Sequence, residues 1–278
     1  MSTPDFLYIG APRAGSTWLW TNMKTHPEIW VPPCKSTAFH HTRFQIYRLK
    51  KLTIQGFGKN MFTATDHKTR SWYRRFFLSP FPGDKWYAGL FPDDQISGDI
   101  NEAYCSLEEK QVQHIARIMP DVKLIFTMRD PVERALSHAV LGKARRKNIS
   151  TENVPDDVIK SHLDHPSNEA RTRYSKTLDL WQTYFPKEQF HIGFYEQLSE
   201  DAEKYFKDIC VFLGVGFDKS WFQDTLKTRV NPAGLDGLSD EIKRYTARKY
   251  YDELKTLSQR YGSYATQWKE KWTDFNPV

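Results

Sequence analysis

Short apolar runs alternate with amphipathic segments along most of the chain. The pattern predicts buried strands at 6–9, 29–31, 122–128 and 190–194, because uninterrupted apolar runs of this length are typical of parallel sheets. Apolar residues spaced three and four apart predict helices at 18–25, 107–119, 131–147, 171–184, 201–213 and 239–261. Strands that alternate with helices favour an α/β fold, in which helices flank a parallel sheet.

Residues 44–97 interrupt this alternation. They are rich in aromatic side chains mixed with Lys and Arg, show no clear period, and contain a cluster of Pro and Gly at 80–83. We interpret the segment as an irregular insertion within one domain that spans 1–278. Its aromatic residues predict a small core over the edge of the sheet, a wall for a substrate, or both.

Composition narrows the class of protein. The 278 residues carry a net charge of +6, which is compatible with an anionic ligand, with nucleic acid or with an ordinary basic surface. Cys34, Cys105 and Cys210 are too far apart for a disulfide framework or a zinc pattern and favour a reducing compartment. We find no secretory leader and no apolar run near the ~20 residues of a membrane span, so we expect a cytoplasmic protein.

The segment 10–17, Gly-Ala-Pro-Arg-Ala-Gly-Ser-Thr, lies between the first predicted strand and the first predicted helix. A glycine-flanked loop in this position directs backbone N–H groups and the helix dipole at an anion. A Walker A loop has Lys directly before its Ser or Thr, whereas this chain has Ser16 there and its cation at Arg13. We therefore expect the loop to bind a phosphate-like group, but not ATP in the usual way.

A second anion-binding pattern follows the strand 122–128. Arg129 lies at the carboxyl end of that strand, where ligands of open α/β sheets bind, and Ser137 follows about two turns into the next helix. Together they are suited to a second phosphate, because Arg forms forked, charge-assisted hydrogen bonds. The alternative is a structural ion pair of Arg129 with Asp130 or Glu133.

In this order the motifs resemble those of the sulfotransferases that use 3′-phosphoadenosine 5′-phosphosulfate (PAPS), most closely the bacterial and carbohydrate-type branch. The segment 12–18 resembles the 5′-phosphosulfate loop of that family, and 129–131 with Ser137 resembles its 3′-phosphate motif. Further similarities follow in order at 180–198, 209–215 and 229–231, so the resemblance spans nearly the whole chain.

The resemblance implies a P-loop-like fold and transfer of a sulfuryl group from PAPS to a hydroxyl, in preference to an amine, of a small-molecule or carbohydrate acceptor. It implies adenosine 3′,5′-bisphosphate (PAP) as product, no metal and no nucleic-acid partner. Arg13 is implied to stabilise the leaving phosphate. The implied nucleotide site also contains Ala14, Gly15, Ser16, Thr17, Trp18, Arg129, Ser137, Tyr195 and Arg229.

The chain departs from the family pattern at the general base. Related enzymes have Lys-Glu-x-x-Phe-Phe with Glu as the base, whereas this chain has Lys35 followed by Ser36, and an unactivated Ser is a poor base. The possible replacements are Asp99, His41 and His40, in that order, or a group that the sequence does not identify. Lys35 stays in the implied catalytic set, and Asp99 is alternatively a buried acid that orients Lys35 or Arg13.

Two other functions are compatible with parts of the pattern. A P-loop kinase or NTPase would need the Walker Lys and a Mg²⁺-binding acid, neither of which is evident. A non-catalytic binder of bisphosphate nucleotides, or of nucleic acid through the basic run 143–147, is compatible with Ser36. His162 and His165 lack the further ligands that a metal site requires.

Overall fold

A five-stranded parallel sheet forms the centre of the protein, with strand order β2-β3-β1-β4-β5. The computed structural model describes residues 3–40, 44–53, 57–147, 154–222, 225–227, 235 and 237–275. The strands are β1 Phe6–Gly10, β2 Ile29–Trp30, β3 Ile96–Ile100, β4 Lys123–Met128 and β5 Phe190–Phe194. Every residue of the central strand β1 is buried.

α-Helices connect the strands and continue after the last one. In chain order they are α1 Ser16–Thr25, α2 Phe44–Thr53, α3 Asn60–Thr63, α4 His67–Leu78, α5 Asp84–Ala88, α6 Glu109–Ile118, α7 Pro131–Lys147, α8 Asp156–Leu163, α9 Pro166–Ala170, α10 Tyr174–Tyr184, α11 Tyr195–Glu200, α12 Ala202–Leu213, α13 Asp240–Tyr261 and α14 Ser263–Thr273. A 3₁₀ helix, Glu102–Ser106, follows β3 after the single residue Asn101.

The sheet separates two apolar cores. Successive side chains of a strand point to opposite faces, so Leu7 and Ile9 of β1 join the larger core with α6, α7, α10 and α13. Phe6 and Tyr8 join the smaller core with α1 and α12. Burial on both faces is what a parallel sheet requires of its central strands, and it explains the apolar runs in the sequence.

Most predicted elements are confirmed, with ends that shift by at most three residues. The largest shift is at α10, which begins at Tyr174 because the short helix α9 ends just before it, with Arg171 as its C-cap. Helix α12 ends as predicted at Gly214, whose φ of 83° lies in the left-handed region. The α/β fold with a parallel sheet is therefore confirmed.

Strand β3 was not predicted. Its polar residues Ser97 and Asp99 and its Gly98 break the apolar pattern, but all three are buried. The N–H of Ser97 donates to Oδ2 of Asp5 at 2.7 Å. Gly98 is required because a Cβ there would lie 2.1 Å from Cζ of Phe6 in the neighbouring strand. Tertiary contacts thus make a strand of a segment with weak strand character.

The described residues of the insertion 44–97 are mostly helical, which corrects the prediction of an irregular segment. The insertion contains α2, α3, α4 and α5, and its last two residues belong to β3. Trp72, Tyr73, Phe76 and Phe77 lie on one side of α4 and join the larger core. Their spacing of three and four residues places these aromatic side chains on one face of α4, where they pack into the core. This agrees with the first interpretation, in which the aromatic residues form a small core over the edge of the sheet.

We expect Gly98→Ala to lower the free energy of unfolding by about 1–3 kcal/mol, because overpacking a tight core costs that much. The added Cβ would meet the ring of Phe6. Gly142→Ala in α7 is the matched control, because a Cβ there meets nothing within 4 Å, and it should stabilise by about 0.5–1 kcal/mol. Urea denaturation measures both changes, and a Gly98→Ala midpoint equal to that of the wild type would contradict this packing.

Candidate active site

The candidate site is built around the loop between β1 and α1. Arg13 and Gly15 have left-handed backbone conformations, with φ of 70° and 89°. Gly15 is also required for space, because a Cβ there would lie 2.6 Å from Cδ2 of Leu198. Among the described residues no side chain caps α1, so its first N–H groups have no side-chain partner and suit an anion.

A lysine from the segment after β2 supplies the cation that the loop lacks beside Ser16. Nζ of Lys35 donates to Oγ of Ser16 at 2.8 Å and to Oγ1 of Thr17 at 3.3 Å. The same Nζ lies 3.0 Å from Oε2 of Glu102. The carbonyl of Lys35 accepts a hydrogen bond from the ammonium of Lys51. One ammonium group thus joins the loop to a carboxylate beyond it.

The two anion-binding motifs identified in the sequence meet in the structure. Nε of Arg13 donates to Oγ of Ser137 at 3.1 Å, and Nη1 of Arg129 donates to the carbonyl of Arg13 at 3.1 Å. Arg129 also pairs with Glu133 at 3.0 Å, and its guanidinium lies 4.9 Å from the centre of the Tyr195 ring. The ion pair with Glu133 is therefore present, and it coexists with the contact to the loop.

An acidic cluster behind Arg129 joins the last helix to the site. Asp130 accepts hydrogen bonds from two N–H groups in the first turn of α7, at 2.9 and 3.3 Å, and from Nε1 of Trp272 at 2.7 Å. Lys271 pairs with Glu133 at 2.5 Å. Burial, assisted by Glu133, raises the pKa of Asp130 to about 6. Helix α14 thereby braces the residues that follow Arg129.

Glu196 is a second acid with a raised pKa beside this cluster. Its Oε1 accepts a hydrogen bond from Nε1 of Trp268 at 2.8 Å. Its Oε2 is buried and receives no hydrogen bond within the described ranges. Burial raises the pKa of Glu196 to about 7, and the nearby Asp130 and Glu133 contribute to the rise. This carboxyl group therefore changes protonation near neutral pH.

Asp99, the first of the predicted replacements for the base, lies inside the protein and is 0% exposed. Its carboxylate accepts hydrogen bonds from the N–H and hydroxyl of Thr37 at 3.1 and 2.5 Å, from Tyr87 at 3.2 Å and from Tyr104 at 2.9 Å. Burial raises the pKa of Asp99, and these donors oppose the rise. The geometry favours the alternative role of a buried acid that orients Lys35, which lies two residues before Thr37.

His40 lies among aromatic rings and is 7% exposed. Its ring centre is 4.8 Å from that of Tyr87. Burial, assisted by His114, lowers the pKa of His40 to about 3, so its imidazole is neutral at physiological pH. The hydroxyl of Ser36 is also buried and has no hydrogen-bond partner in the part of the chain that the structure describes.

Several predicted residues stand apart from the loop contacts. His41, Arg229 and the side chains of the basic run 143–147 lie outside the described residues. The indole of Trp18 is buried in the smaller core and donates to the carbonyl of Leu226 at 2.9 Å, so only its backbone is available to a ligand. The structure brings together Arg13, Ala14, Gly15, Ser16, Thr17, Lys35, Arg129, Ser137 and Tyr195.

The sequence pattern did not indicate Glu102 or Arg171 as residues of the site. Burial favours a higher pKa for Glu102, but Lys35, the backbone N–H of Glu102 and Arg171 together outweigh burial and lower this pKa. Nη1 of Arg171 lies 3.5 Å from Nε2 of His138, in the helix turn that holds Ser137. An acid two residues after a strand is a recognisable signal for Glu102, but β3 itself lacked the pattern of a strand.

A cavity of about 330 Å³ opens between the ends of β2 and α4. Pro33 lines it and lies two residues before Lys35, so one short segment joins the cavity to the loop. The other lining side chains are mainly aromatic, basic or hydroxylic, and include Trp30, His67, Lys68, Thr69, Ser71, Trp72, Arg75 and Phe91. This surface combines apolar faces with positive charge.

Within the described ranges, no group of three or more His, Cys, Asp or Glu side chains is placed to hold a metal ion. The helices of these ranges are too short or too polar to cross a membrane. Cys34, Cys105 and Cys210 are buried free thiols.

A model of the sulfotransferase family matches residues 4–219 of the chain. Heparan sulfate glucosamine 3-O-sulfotransferase 5 from Mus musculus is 33% identical over 119 residues, which cover 40% of this chain and 34% of that protein. The matched region thus spans about a third of the length of this curated relative.

Solved structures show the same fold at low sequence identity. A sulfotransferase from Alicyclobacillus acidocaldarius superposes with a TM-score of 0.62 and 17% identity, covering 97% of this chain and all (100%) of that one. A mouse sulfotransferase complexed with PAP superposes with a TM-score of 0.54 and 12% identity, covering 99% of this chain and 91% of that one. These similarities confirm the fold class.

We expect Glu196→Gln to change how stability depends on pH. The raised pKa means that the folded state keeps this proton to higher pH than the unfolded chain, so the free energy of unfolding falls as pH rises from 4.5 to about 7. The variant avoids this loss and should be more stable than the wild type by on the order of 1–3 kcal/mol at about pH 8, but not at about pH 4.5.

Urea denaturation at both pH values measures this difference, and Glu188→Gln, at an exposed position, is the control. An equal stability difference between Glu196→Gln and the wild type at the two pH values would contradict the raised pKa.

Proposed function

The chain belongs to the sulfotransferase family, and from this premise we propose that it moves a sulfuryl group from PAPS to a hydroxyl group of an organic acceptor. The convergence of Arg13, Lys35 and Arg129 on one loop carries the proposal. PAPS has anionic groups at both its 5′ and 3′ positions. Two cation–hydroxyl pairs, Lys35 with Ser16 and Arg13 with Ser137, suit a ligand of this kind.

In the proposed reaction, the acceptor oxygen bonds to sulfur while the bond from sulfur to the 5′-phosphate oxygen breaks, and PAP leaves with the electron pair. Ser16, Thr17 and the N–H groups of the first turn of α1 would hold the 5′-phosphate. Arg13 would neutralise the charge that grows on the leaving phosphate. The protein contributes position and charge, as in phosphoryl transfer, and this chemistry needs neither a covalent protein intermediate nor a metal ion.

Arg129 and Ser137 would hold the 3′-phosphate, which distinguishes PAPS and PAP from ATP. The hydroxyl of Ser137 is engaged by Arg13, so a phosphate would take over a contact that the protein already makes. The ring of Tyr195 faces the guanidinium of Arg129, and a purine beside that phosphate would lie close to this aromatic surface. The nucleotide site would thus use side chains that are already held in place.

The acceptor in this proposal is a carbohydrate or a small molecule with an anionic group. The cavity beside Pro33 supports this choice, because aromatic faces stack on sugar rings and the cations Lys68 and Arg75 attract sulfate or carboxylate groups. The name of the mouse relative, a heparan sulfate glucosamine 3-O-sulfotransferase, supports a carbohydrate. The free thiols support a cytoplasmic location, where a reducing environment keeps them unpaired.

PAP should raise the thermal stability of the protein in the absence of Mg²⁺, by about 2.7 kcal/mol at a ligand concentration about 100 times Kd. We expect Arg129→Gln and Ser137→Ala to weaken this stabilisation, because each removes a partner of the 3′-phosphate. Arg260→Gln is the matched control, because Arg260 pairs with Asp179 in a helix–helix contact. Differential scanning fluorimetry measures the shifts. Greater stabilisation by MgATP than by PAP would favour a kinase or NTPase instead.

Transfer itself is measured with PAPS carrying radioactive sulfur and a panel of phenols, alcohols and polysaccharides. Arg13→Ala should lower turnover by about 10²–10³-fold, because it removes a charge that stabilises the transition state. Arg13→Lys keeps the charge and should retain most of the activity. If the wild type binds PAP but transfers no label to any acceptor, the chain is a nucleotide binder and the proposed activity is wrong.

A further inference from the structure

We propose that Glu102 accepts the proton of the acceptor hydroxyl, in place of the acid that related enzymes have where this chain has Ser36. This inference rests on the sulfotransfer proposed above. It identifies a base that neither the sequence pattern nor the family motif indicates, and it gives a role to a carboxylate that lies beside the loop.

The backbone holds Glu102 at the edge of the sheet where the loop lies. Glu102 begins the 3₁₀ helix Glu102–Ser106, two residues beyond the end of β3. The N–H of Asn101 donates to the carbonyl of Tyr8 in β1 at 3.0 Å. The side chain of Asn101 accepts a hydrogen bond from the N–H of Ala103 at 3.2 Å. Both chain neighbours of Glu102 are therefore anchored, one of them directly to the central strand.

Lys35 sets the distance between Glu102 and the loop. Its ammonium lies 2.8 Å from Oγ of Ser16 and 3.0 Å from Oε2 of Glu102. A single ammonium group thus separates the carboxylate from the hydroxyl that would contact the donor. An acceptor oxygen that attacks a sulfuryl group held at this loop must approach the loop from outside, and Glu102 contacts the same ammonium group as the loop hydroxyl of Ser16.

Part of the Glu102 side chain remains accessible to a substrate. Oε2 is buried and paired with Lys35. The side chain is nevertheless 32% exposed. Burial favours a higher pKa, but Lys35, the backbone N–H of Glu102 and Arg171 together outweigh it and lower the pKa of Glu102. The carboxylate is therefore ionised at neutral pH and able to accept a proton.

The other candidates lack one of these properties. Both oxygens of Asp99 are occupied by internal donors, and none of that residue is exposed. His40 is 7% exposed and its Nε2 is buried without a partner among the described residues. Glu102 alone of the three combines partial exposure with a contact to Lys35.

The proton step balances with the groups already named. The acceptor oxygen forms its bond to sulfur with a lone pair, and its proton moves to Oε1 of Glu102. The bond from sulfur to the 5′-phosphate oxygen breaks, and PAP takes that electron pair beside Arg13. The hydroxyl proton becomes strongly acidic as the bond to sulfur forms, so a carboxylate with a lowered pKa suffices as the base. Glu102 returns the proton to water after the products leave.

The test compares Glu102→Gln and Glu102→Ala with the wild type. We measure transfer of radioactive sulfur from PAPS across the acceptor panel, PAP binding by calorimetry, and restoration of Glu102→Ala by added formate. Glu109→Gln, in the first turn of the next helix, is the matched control, because the carboxylate of Glu109 accepts a hydrogen bond from Tyr184 at the surface. Thermal unfolding of each variant establishes that it is folded.

Glu102→Gln should lower kcat by about 10²-fold or more while the Kd for PAP stays within about 3-fold of the wild-type value, and formate should restore part of the kcat of Glu102→Ala. A parallel loss of PAP binding and kcat without rescue by formate would show that Glu102 only positions Lys35, and would overturn the inference. Wild-type kcat in Glu102→Gln would also overturn it. Absence of transfer by the wild type overturns the proposed function itself, so the two failures are distinguishable.

Discussion

The buried carboxylate of Asp99 is the interaction on which the candidate site depends. It accepts hydrogen bonds from Thr37 after β2, from Tyr87 in α5 and from Tyr104 after β3, so one group joins three separate parts of the chain. A carboxylate taken out of water costs several kcal/mol unless donors replace its hydration. Here the donors are the connecting groups themselves, so separation of any one segment would leave a buried charge under-solvated.

This constraint explains how Lys35 reaches the loop. The segment after β2 turns sharply, with left-handed backbone at Ser36 (φ 67°) and Ala38 (φ 56°). Residues other than glycine disfavour that conformation by roughly 1–2 kcal/mol each. The two bonds from Thr37 to Asp99 lie between these positions and offset the cost. The turn directs Lys35 back towards Ser16, so a strained loop and a buried acid together place a cation.

The sequence predicts those parts of the site that lie in continuous motifs. Arg13, Arg129 and Ser137 each belong to a strand–loop–helix pattern, and the structure brings them into contact. The sequence leaves Asp99 either the first candidate for the base or a buried orienting acid, because its identity does not reveal its burial. The sequence does not indicate Glu102, because the place of its carboxylate in the site depends on an ion pair with Lys35, which is distant in the chain.

The fold likewise has elements that the sequence predicts and elements that it does not. Apolar runs in the sequence predict strands β4 and β5. Strand β3 lacks such a run and forms because it pairs with the neighbouring strands of the sheet. Gly98 is needed only because Phe6 packs against it, and Ser97 is satisfied by Asp5. Local pattern therefore identifies elements that would be buried in any parallel sheet. It does not identify elements whose polar residues become acceptable only after the sheet has formed.

Two of the three cations at this loop, Lys35 and Arg129, come from other parts of the chain, whereas a Walker A loop carries its own lysine. Arg13, Lys35 and Arg129 come from three elements and lie around one turn, so they repel one another. Glu102 and Glu133 reduce that repulsion by pairing with Lys35 and Arg129. Neither carboxylate abolishes the attraction for an anion. Glu133 divides its charge between Arg129 and Lys271, and Lys35 divides its ammonium between a carboxylate and two hydroxyls. The ion pairs thereby hold the side chains of Lys35 and Arg129 in place. Part of their positive charge remains available to an anion bound at the loop.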